Sequence, residues 1–253
     1  MEREHPSISV ITPAYNSAAT INETIESVLS QTYSDWEMII VDDCSTDQTR
    51  DLLLKAEARD SRIHTVFLKK NSGAAVARNT ALDHAKGRYI AFLDSDDRWK
   101  PDKLEKQLRF MQEHHYAFTF TGYEYILPNG TALHKRVQAP EQVTYHDMLK
   151  NTIVGCLTVM VDRDRIGSFH MPNLRTRQDL ATWLSFLKKG NIAHGLNENL
   201  AEYRVGQASI SGNKWQAARK TWYVYRQVER LNLWQSVWYF IHYGVNAVLK
   251  RVI

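Results

Sequence analysis

The chain is poor in cysteine. Cys44 and Cys156 are its only two, too few for a disulfide framework, so a reducing cytosol is the expected compartment. Near the start there is no long apolar run; the first, Ile8 to Ile11, is far too short for a signal peptide, and none is expected. No linker, low-complexity segment or internal repeat divides the chain. With 43% hydrophobic and 24% charged residues, its composition excludes a disordered, collagen-like or multi-spanning membrane protein. Ten histidines include no His-Glu-x-x-His, which leaves zinc catalysis without support. No Gly-x-Gly-x-x-Gly follows the first strand-like run, which counts against NAD.

What is present is uneven. The formal charge is +4, but from Lys214 onward seven Lys or Arg face one acid, Glu229, a net +6 that leaves −2 for residues 1–213. The same stretch holds four of the seven tryptophans. A near-neutral body with a basic, aromatic tail is not a generally basic nucleic-acid binder, and no nucleic-acid partner is expected. At 253 residues, length alone does not separate one large domain from two modest ones.

The first hundred residues alternate strand and helix patterns. Apolar runs at Ser7–Thr12 (stopped by Pro13), Trp36–Val41, Ile63–Leu68 and Tyr89–Leu93 read as strands. Between them, Thr20-Ile21-Asn22-Glu23 reads as a capping box, Asp47 as a cap, and 74–85 as a helix ended by Gly87. Such alternation predicts an α/β fold with a parallel sheet, whose ligands bind beyond the carboxyl ends of the strands. Polar residues gather there: Tyr15 and Asn16, Asp42 and Asp43, Asn71 to Gly73, and Asp94 to Asp97. After Asp97 the pattern changes to a helix from Pro101, a strand over 117–126, a turn at Pro128-Asn129-Gly130 and a late helix over 180–189. Residues 1–213 read as one domain with a first half to about residue 100 and a second half over 101–213; residues 214–253 read as a helical tail.

Strand alternation predicts Asp94 and Asp96 on one side, about 7 Å apart. Two such carboxylates repel, and Mg²⁺ or Mn²⁺ bound with substrate phosphates would relieve them; an acidic loop capping the next helix is the competing reading. Asp43 can accept from a nucleobase N–H or serve the turn; Gly73 permits close approach or forms a turn. Arg78 faces phosphate or pairs with a rim carboxylate.

Ser-Val-Ile-Thr-Pro-Ala-Tyr-Asn (9–16), Ser-Val-Leu-Ser-Gln-Thr-Tyr (27–33), Val-Asp-Asp-Cys-Ser-Thr-Asp (41–47), Gly-Ala-Ala-Val-Ala-Arg-Asn (73–79) and Phe-Leu-Asp-Ser-Asp-Asp (92–97) resemble, in order, the family 2 glycosyltransferases with the GT-A fold. Weaker similarity runs to about Ser211, and within the family the tail most resembles the teichuronic-acid glycosyltransferases of Gram-positive bacteria. The resemblance implies inverting transfer from a nucleotide-diphosphate sugar, usually UDP-linked. Pro13, Tyr15 and Asp43 would surround the base, Asp94 the ribose and diphosphate, and Asp94 with Asp96 a divalent metal. A saccharide or lipid-linked acceptor would lose its proton to Asp179, in a Gln178-Asp179 pair where the family has Glu-Asp. By sequence alone Asp179 also reads as a helix N-cap. Cys44 stands where many members have Gly or Asn. Arg204 reads equally as a diphosphate contact or a structural ion pair. A nucleotide-sugar-binding subunit without turnover is the rival function, and a phosphatase on Asp94-x-Asp96 a second.

From Leu231 to Leu249 there is no formal charge. On a helical wheel Asn232, Gln235, Ser236, Tyr239, His242, Tyr243 and Asn246 share one narrow face and apolar residues the rest. Flanked by Arg226, Arg230, Lys250 and Arg251, this helix reads as lying on an anionic cytoplasmic membrane surface. The competing reading packs it on the body or on a homodimer partner.

Overall fold

A computed structural model describes residues 5–205 and 214–252. The first half builds β1 (Ile8–Ala14), α1 (Ile21–Leu29), β2 (Trp36–Asp42), α2 (Thr49–Arg59), β3 (Ile63–Phe67), α3 (Ala74–His84) and β4 (Tyr89–Phe92). The second continues with β5 (Arg98–Trp99), α4 (Lys103–Glu113), β6 (Phe118–Ile126), β7 (Ala132–Val137), β8 (Gln142–Val143), α5 (Tyr145–Lys150), β9 (Met160–Asp162), α6 (Arg163–Ile166), α7 (Gln178–Lys188) and β10 (Ala193–Arg204). A tight helical turn, Cys156–Thr158, precedes β9. After the tail begins come α8 (Lys214–Tyr223), a widened helical turn Val224–Val228 and α9 (Leu233–Val252). The weak resemblance at 209–211 lies outside the described residues.

All the strands join one sheet, whose main order is β3-β2-β1-β4-β9-β6-β10-β5. The pairs β3-β2, β2-β1 and β1-β4 are parallel, as the alternating pattern predicts. The second half is mixed: β9 runs antiparallel to both β4 and β6, while β10 lies parallel to β6. Pro13 does not end β1 but pairs within it, opposite Val41. The reason is local: β4 pairs with β1 only from Ile8 to Ile11, so at Pro13 the strand has one neighbour and a missing N–H is tolerated.

Each central strand feeds both faces of the sheet. Val10, Met38, Ile40 and Ala91 join one apolar layer, under α1 and α4; Ile11, Ile39, Val41, Ile90 and Phe92 join the other, under α3 and α7. Burial on both sides is why these strands read as continuous apolar runs. In the second layer Trp183 and Phe186 of α7 pack among Phe92, Phe118 and Phe169, with ring centroids 4.8–5.8 Å apart. That aromatic packing fixes the late helix on the sheet. On the other side Lys103 is fully buried, its ammonium 4.0 Å from the Trp99 ring centre and 2.8 Å from Gln107 Oε1. Its ammonium meets an amide oxygen and a ring rather than a carboxylate, and burial pushes its pKa down to about 7.

The tail enters this core. Val224 and Tyr225 are buried in the second layer, and the Tyr225 hydroxyl donates to the Leu149 carbonyl. Glu229 accepts from Tyr145 (2.7 Å) and Lys188 (3.1 Å). Tyr225→Ala is therefore expected to cost about 3–5 kcal/mol, as large-to-small changes of buried aromatics do. Denaturant unfolding checks this; a loss below about 1 kcal/mol would mean that the tail does not pack on the body.

Candidate active site

The rim is assembled by short loops at the carboxyl ends of β1, β2, β3 and β4. Asp43 is buried and accepts the Ser72 and Gly73 amides, each at 2.7 Å, through its two oxygens. It thus ties the loop after β2 to the start of α3. Gly73 has φ 91°, and a Cβ there would meet nothing within 4 Å, so conformation rather than packing calls for glycine. Asn16 bridges to the same loop, its amide on Ser45 Oγ (2.9 Å) and its Oδ1 accepting the Thr46 amide (2.8 Å). Pro13 is buried within β1, while Tyr15, just past the strand, is 49% exposed. Asp47 is not the cap of α2, which is Gln48, but from the position before it accepts the Thr49 amide at 3.0 Å and the Thr49 hydroxyl at 2.6 Å.

Thr20 and Glu23 do not form a capping box. The Thr20 hydroxyl donates to the Ser95 carbonyl at 2.8 Å, and the Thr24 hydroxyl to the Asp97 carbonyl at 2.8 Å. Glu23 accepts from Arg98 (3.0 Å) and Arg204 (2.7 Å). The first helix therefore spends its polar groups on the acidic segment after β4. Long-range partners outcompete the local cap because the segment needs them.

Asp94 and Asp96 also differ from expectation. β4 ends at Phe92, and the segment is a turn closed by the Asp97 amide on the Asp94 carbonyl at 3.1 Å, so strand alternation does not govern it. Arg204 supports this turn: its Nε donates to the Asp96 carbonyl (2.7 Å), its backbone N–H to Asp97 Oδ1 (2.8 Å), and a guanidinium nitrogen to the Pro128 carbonyl (2.6 Å). Those bonds, with the Glu23 ion pair, make it a structural residue. Asp97 is buried, and burial first, then Asp96 and Asp94, push its pKa well up. The Asp96 side chain reaches solvent, yet the protein crowds its carboxyl. That desolvation, then the charge of Asp94, raises its pKa to about 6. The Asp94 charge pushes in the same direction as the desolvation.

Arg78, on α3, is almost wholly buried and pairs with Asp94 through one guanidinium nitrogen. Its Nε and other terminal nitrogen are buried without a hydrogen-bond partner. Burial opposes its charge, but Asp94, Cys156 and Asp179 outweigh that and raise its pKa. Asp179 therefore acts on the same guanidinium as the acidic turn. It occupies the second position of α7, partly exposed, behind Arg177, whose φ is 65°. Arg177, not Asp179, is the N-cap residue, so the helix-cap reading of Asp179 fails. Gln178 is buried, its Oε1 unpartnered. Cys156, buried, feels Arg78, Asp94 and Asp179 and has its thiol pKa pushed up, chiefly by burial. Sequence reasoning passed over Thr24 and Cys156 as neighbours of the acidic turn and read Thr20 only as a cap, since their distant partners leave no local signal.

Among the described residues no three His, Cys, Asp or Glu side chains gather tightly enough to hold a metal alone. Asp94 and Asp96 fit instead a hard cation completed by a ligand's phosphates. The repelling pair and the unpartnered donors of Arg78 match that chemistry.

The model of the family described as glycosyl transferase family 2 matches residues 9–170. TuaG of Bacillus subtilis, named for teichuronic acid biosynthesis, is 62% identical over 247 residues, 98% of each chain. WfgD of Escherichia coli, named a UDP-Glc:α-D-GlcNAc-diphosphoundecaprenol β-1,3-glucosyltransferase, is 41% identical over 96% of this chain and 94% of its own. Among solved structures, S. aureus TarS 1–349 in complex with UDP-GlcNAc superposes with a TM-score of 0.69 at 23% identity. The match covers 94% of this chain and 71% of that one. This likeness concerns the fold, which is GT-A.

Two expectations follow from the rim. Because folded Asp96 holds its proton to about pH 6 and the unfolded chain releases it near 4, the folded state binds more protons between those values. Stability from this group therefore falls as pH rises through that window. Asp96→Asn is expected to raise Tm at pH 7–8, with the gap closing toward pH 4 in a fluorimetry series; parallel curves would remove the repulsion. Cys44 has φ 64°, a left-handed conformation that costs a side chain about 1–2 kcal/mol. Cys44→Gly is expected to hold or raise Tm and the β-branched Cys44→Val to lower it; the opposite order would contradict the strain.

Proposed function

The chain belongs to glycosyl transferase family 2, and from that premise we propose that it transfers a sugar, with inversion, from a nucleotide-diphosphate donor, a UDP-sugar, to a lipid-linked saccharide in cell-surface polysaccharide synthesis. The observation that carries this reading is the buried Arg78, which pairs with Asp94 on the acidic turn and keeps two guanidinium nitrogens without a hydrogen-bond partner. In this reading the donor's phosphates meet a buried, charged group beside the acidic turn.

In this reading Pro13, Tyr15 and Asp43 form the base end of the donor site. Tyr15 offers an exposed ring, and each Asp43 oxygen, though bonded to an amide, keeps a second lone pair. Asp94 and Asp96 would hold Mg²⁺ or Mn²⁺, which supplies neutralising charge to the departing diphosphate. The unpartnered nitrogens of Arg78 add donors on that side. Asp179 takes the proton from the acceptor hydroxyl as that oxygen attacks the anomeric carbon. The bond to the diphosphate oxygen breaks as the new bond forms on the opposite face, and the electron pair leaves with the nucleotide. Because the acceptor is lipid-linked, we place the enzyme peripherally on the cytoplasmic face of the membrane. No helix among the described residues is long and apolar enough to cross it.

Asp179→Asn is expected to retain donor affinity by calorimetry with a UDP-sugar and Mn²⁺ while turnover falls by about 10²–10⁴. A fall below tenfold would remove Asp179 as the base. Absence of donor binding by the parent would remove the activity altogether.

A further inference from the structure

The last helix is amphipathic in an inverted sense. Most of its narrow polar face, which solvent would be expected to claim, turns toward the body, while Asn232 and Gln235 at its start stay exposed. Ser236 is fully buried. The Tyr239 hydroxyl shares a 2.5 Å hydrogen bond with His146 Nδ1, Asn246 donates to the Lys150 carbonyl at 3.1 Å, and Arg177 donates to the Tyr243 hydroxyl at 3.2 Å. The wider face looks out. Leu233, Trp234, Val237, Trp238, Ile241 and Val245 are all exposed, Trp234 at 84% and Trp238 at 59%. A contiguous apolar stripe left outside a folded chain marks an interaction surface.

We propose that this face of α9 docks on an anionic lipid surface. This deepens the acceptor side of the reading above. The occupant is chosen by charge and composition. The segment from Lys214 carries a net +6 while the rest of the chain carries −2, so the excess positive charge belongs to the segment that includes this helix. Between Leu231 and Leu249 there is no charge to pair with a protein partner, and basic residues stand at both ends, Arg230 exposed before it and Lys250-Arg251 beyond. Tryptophan at the boundary and Lys or Arg flanks are the chemistry of an interfacial helix over anionic headgroups. The hydrogen bonds on the inner face fix the helix to α5 and to Arg177, the residue that opens α7. A docked surface therefore holds the helix of Asp179 at a set attitude. A second copy of the chain is the competing occupant.

The test uses the full chain with phosphatidylcholine vesicles with and without phosphatidylglycerol. Binding is expected to favour the anionic vesicles, to weaken with salt without vanishing, and to fall at least tenfold in Trp234→Ser/Trp238→Ser. Because both side chains are exposed, Tm is expected to be unchanged. Quenching of the parent's tryptophan fluorescence by brominated lipid checks insertion without any substitution. Absence of vesicle binding, undiminished binding by the double variant, or a dimer that the double variant dissociates in sedimentation would each overturn the proposal. A chain that binds vesicles through α9 yet transfers no sugar would overturn the activity alone.

Discussion

Concentrated negative charge at the end of one buried strand is the constraint around which the molecule is organised. Asp94, Asp96 and Asp97 follow β4 within five residues, and nothing in that turn neutralises them. The neutralising and hydrogen-bonding groups come from far away in the chain: Arg78 on α3, Arg204 at the end of β10, and threonine hydroxyls on α1. Glu23 completes the arrangement by accepting from both Arg98 and Arg204. Each contact is modest alone, but together they hold the turn in place before any ligand arrives. Preorganised charge of this kind is what phosphate chemistry requires.

The fold was largely legible because its signals are local. Four apolar runs with turn residues between them specify parallel strands, and Gly73 and Gly87 punctuate the helix between two of them. Legibility failed where a residue's partner is distant. Thr20 and Glu23 have the spacing of a capping box, yet both serve the acidic turn about 75 residues on in the chain. Asp94 and Asp96 were read by strand alternation, but the strand stops at Phe92, before either of them. Asp179 looked like a cap, but Arg177 takes that position in a left-handed conformation that sequence does not announce. The candidate site residues were proposed from chemical type and resemblance; that Arg78 is buried against Asp94 required coordinates.

The tail shows a related limit. A helical wheel separates polar from apolar residues correctly without saying which side meets water. Here the polar stripe meets protein, since Tyr239, Tyr243 and Asn246 find hydrogen-bond partners on the body. Of the two readings of the wheel, the structure shows the packing one: the helix sits on the domain and leaves an apolar face exposed.

The buried guanidinium bears on which sequences this architecture can tolerate. Position 78 needs a cation that stays charged when removed from water, because a neutral group would leave Asp94 facing its acidic neighbours unaided. The molecule contains its own comparison. Lys103, equally buried but beside an amide and a ring instead of a carboxylate, is pushed by burial to about 7. An ammonium at position 78 would gain Asp94 as partner, but it would face the same desolvation and would offer one point of contact where a planar fork offers several. Arginine and lysine are thus not exchangeable there, although a substitution table would score them as near equivalents. Drift at that site is restricted by solvation as much as by shape.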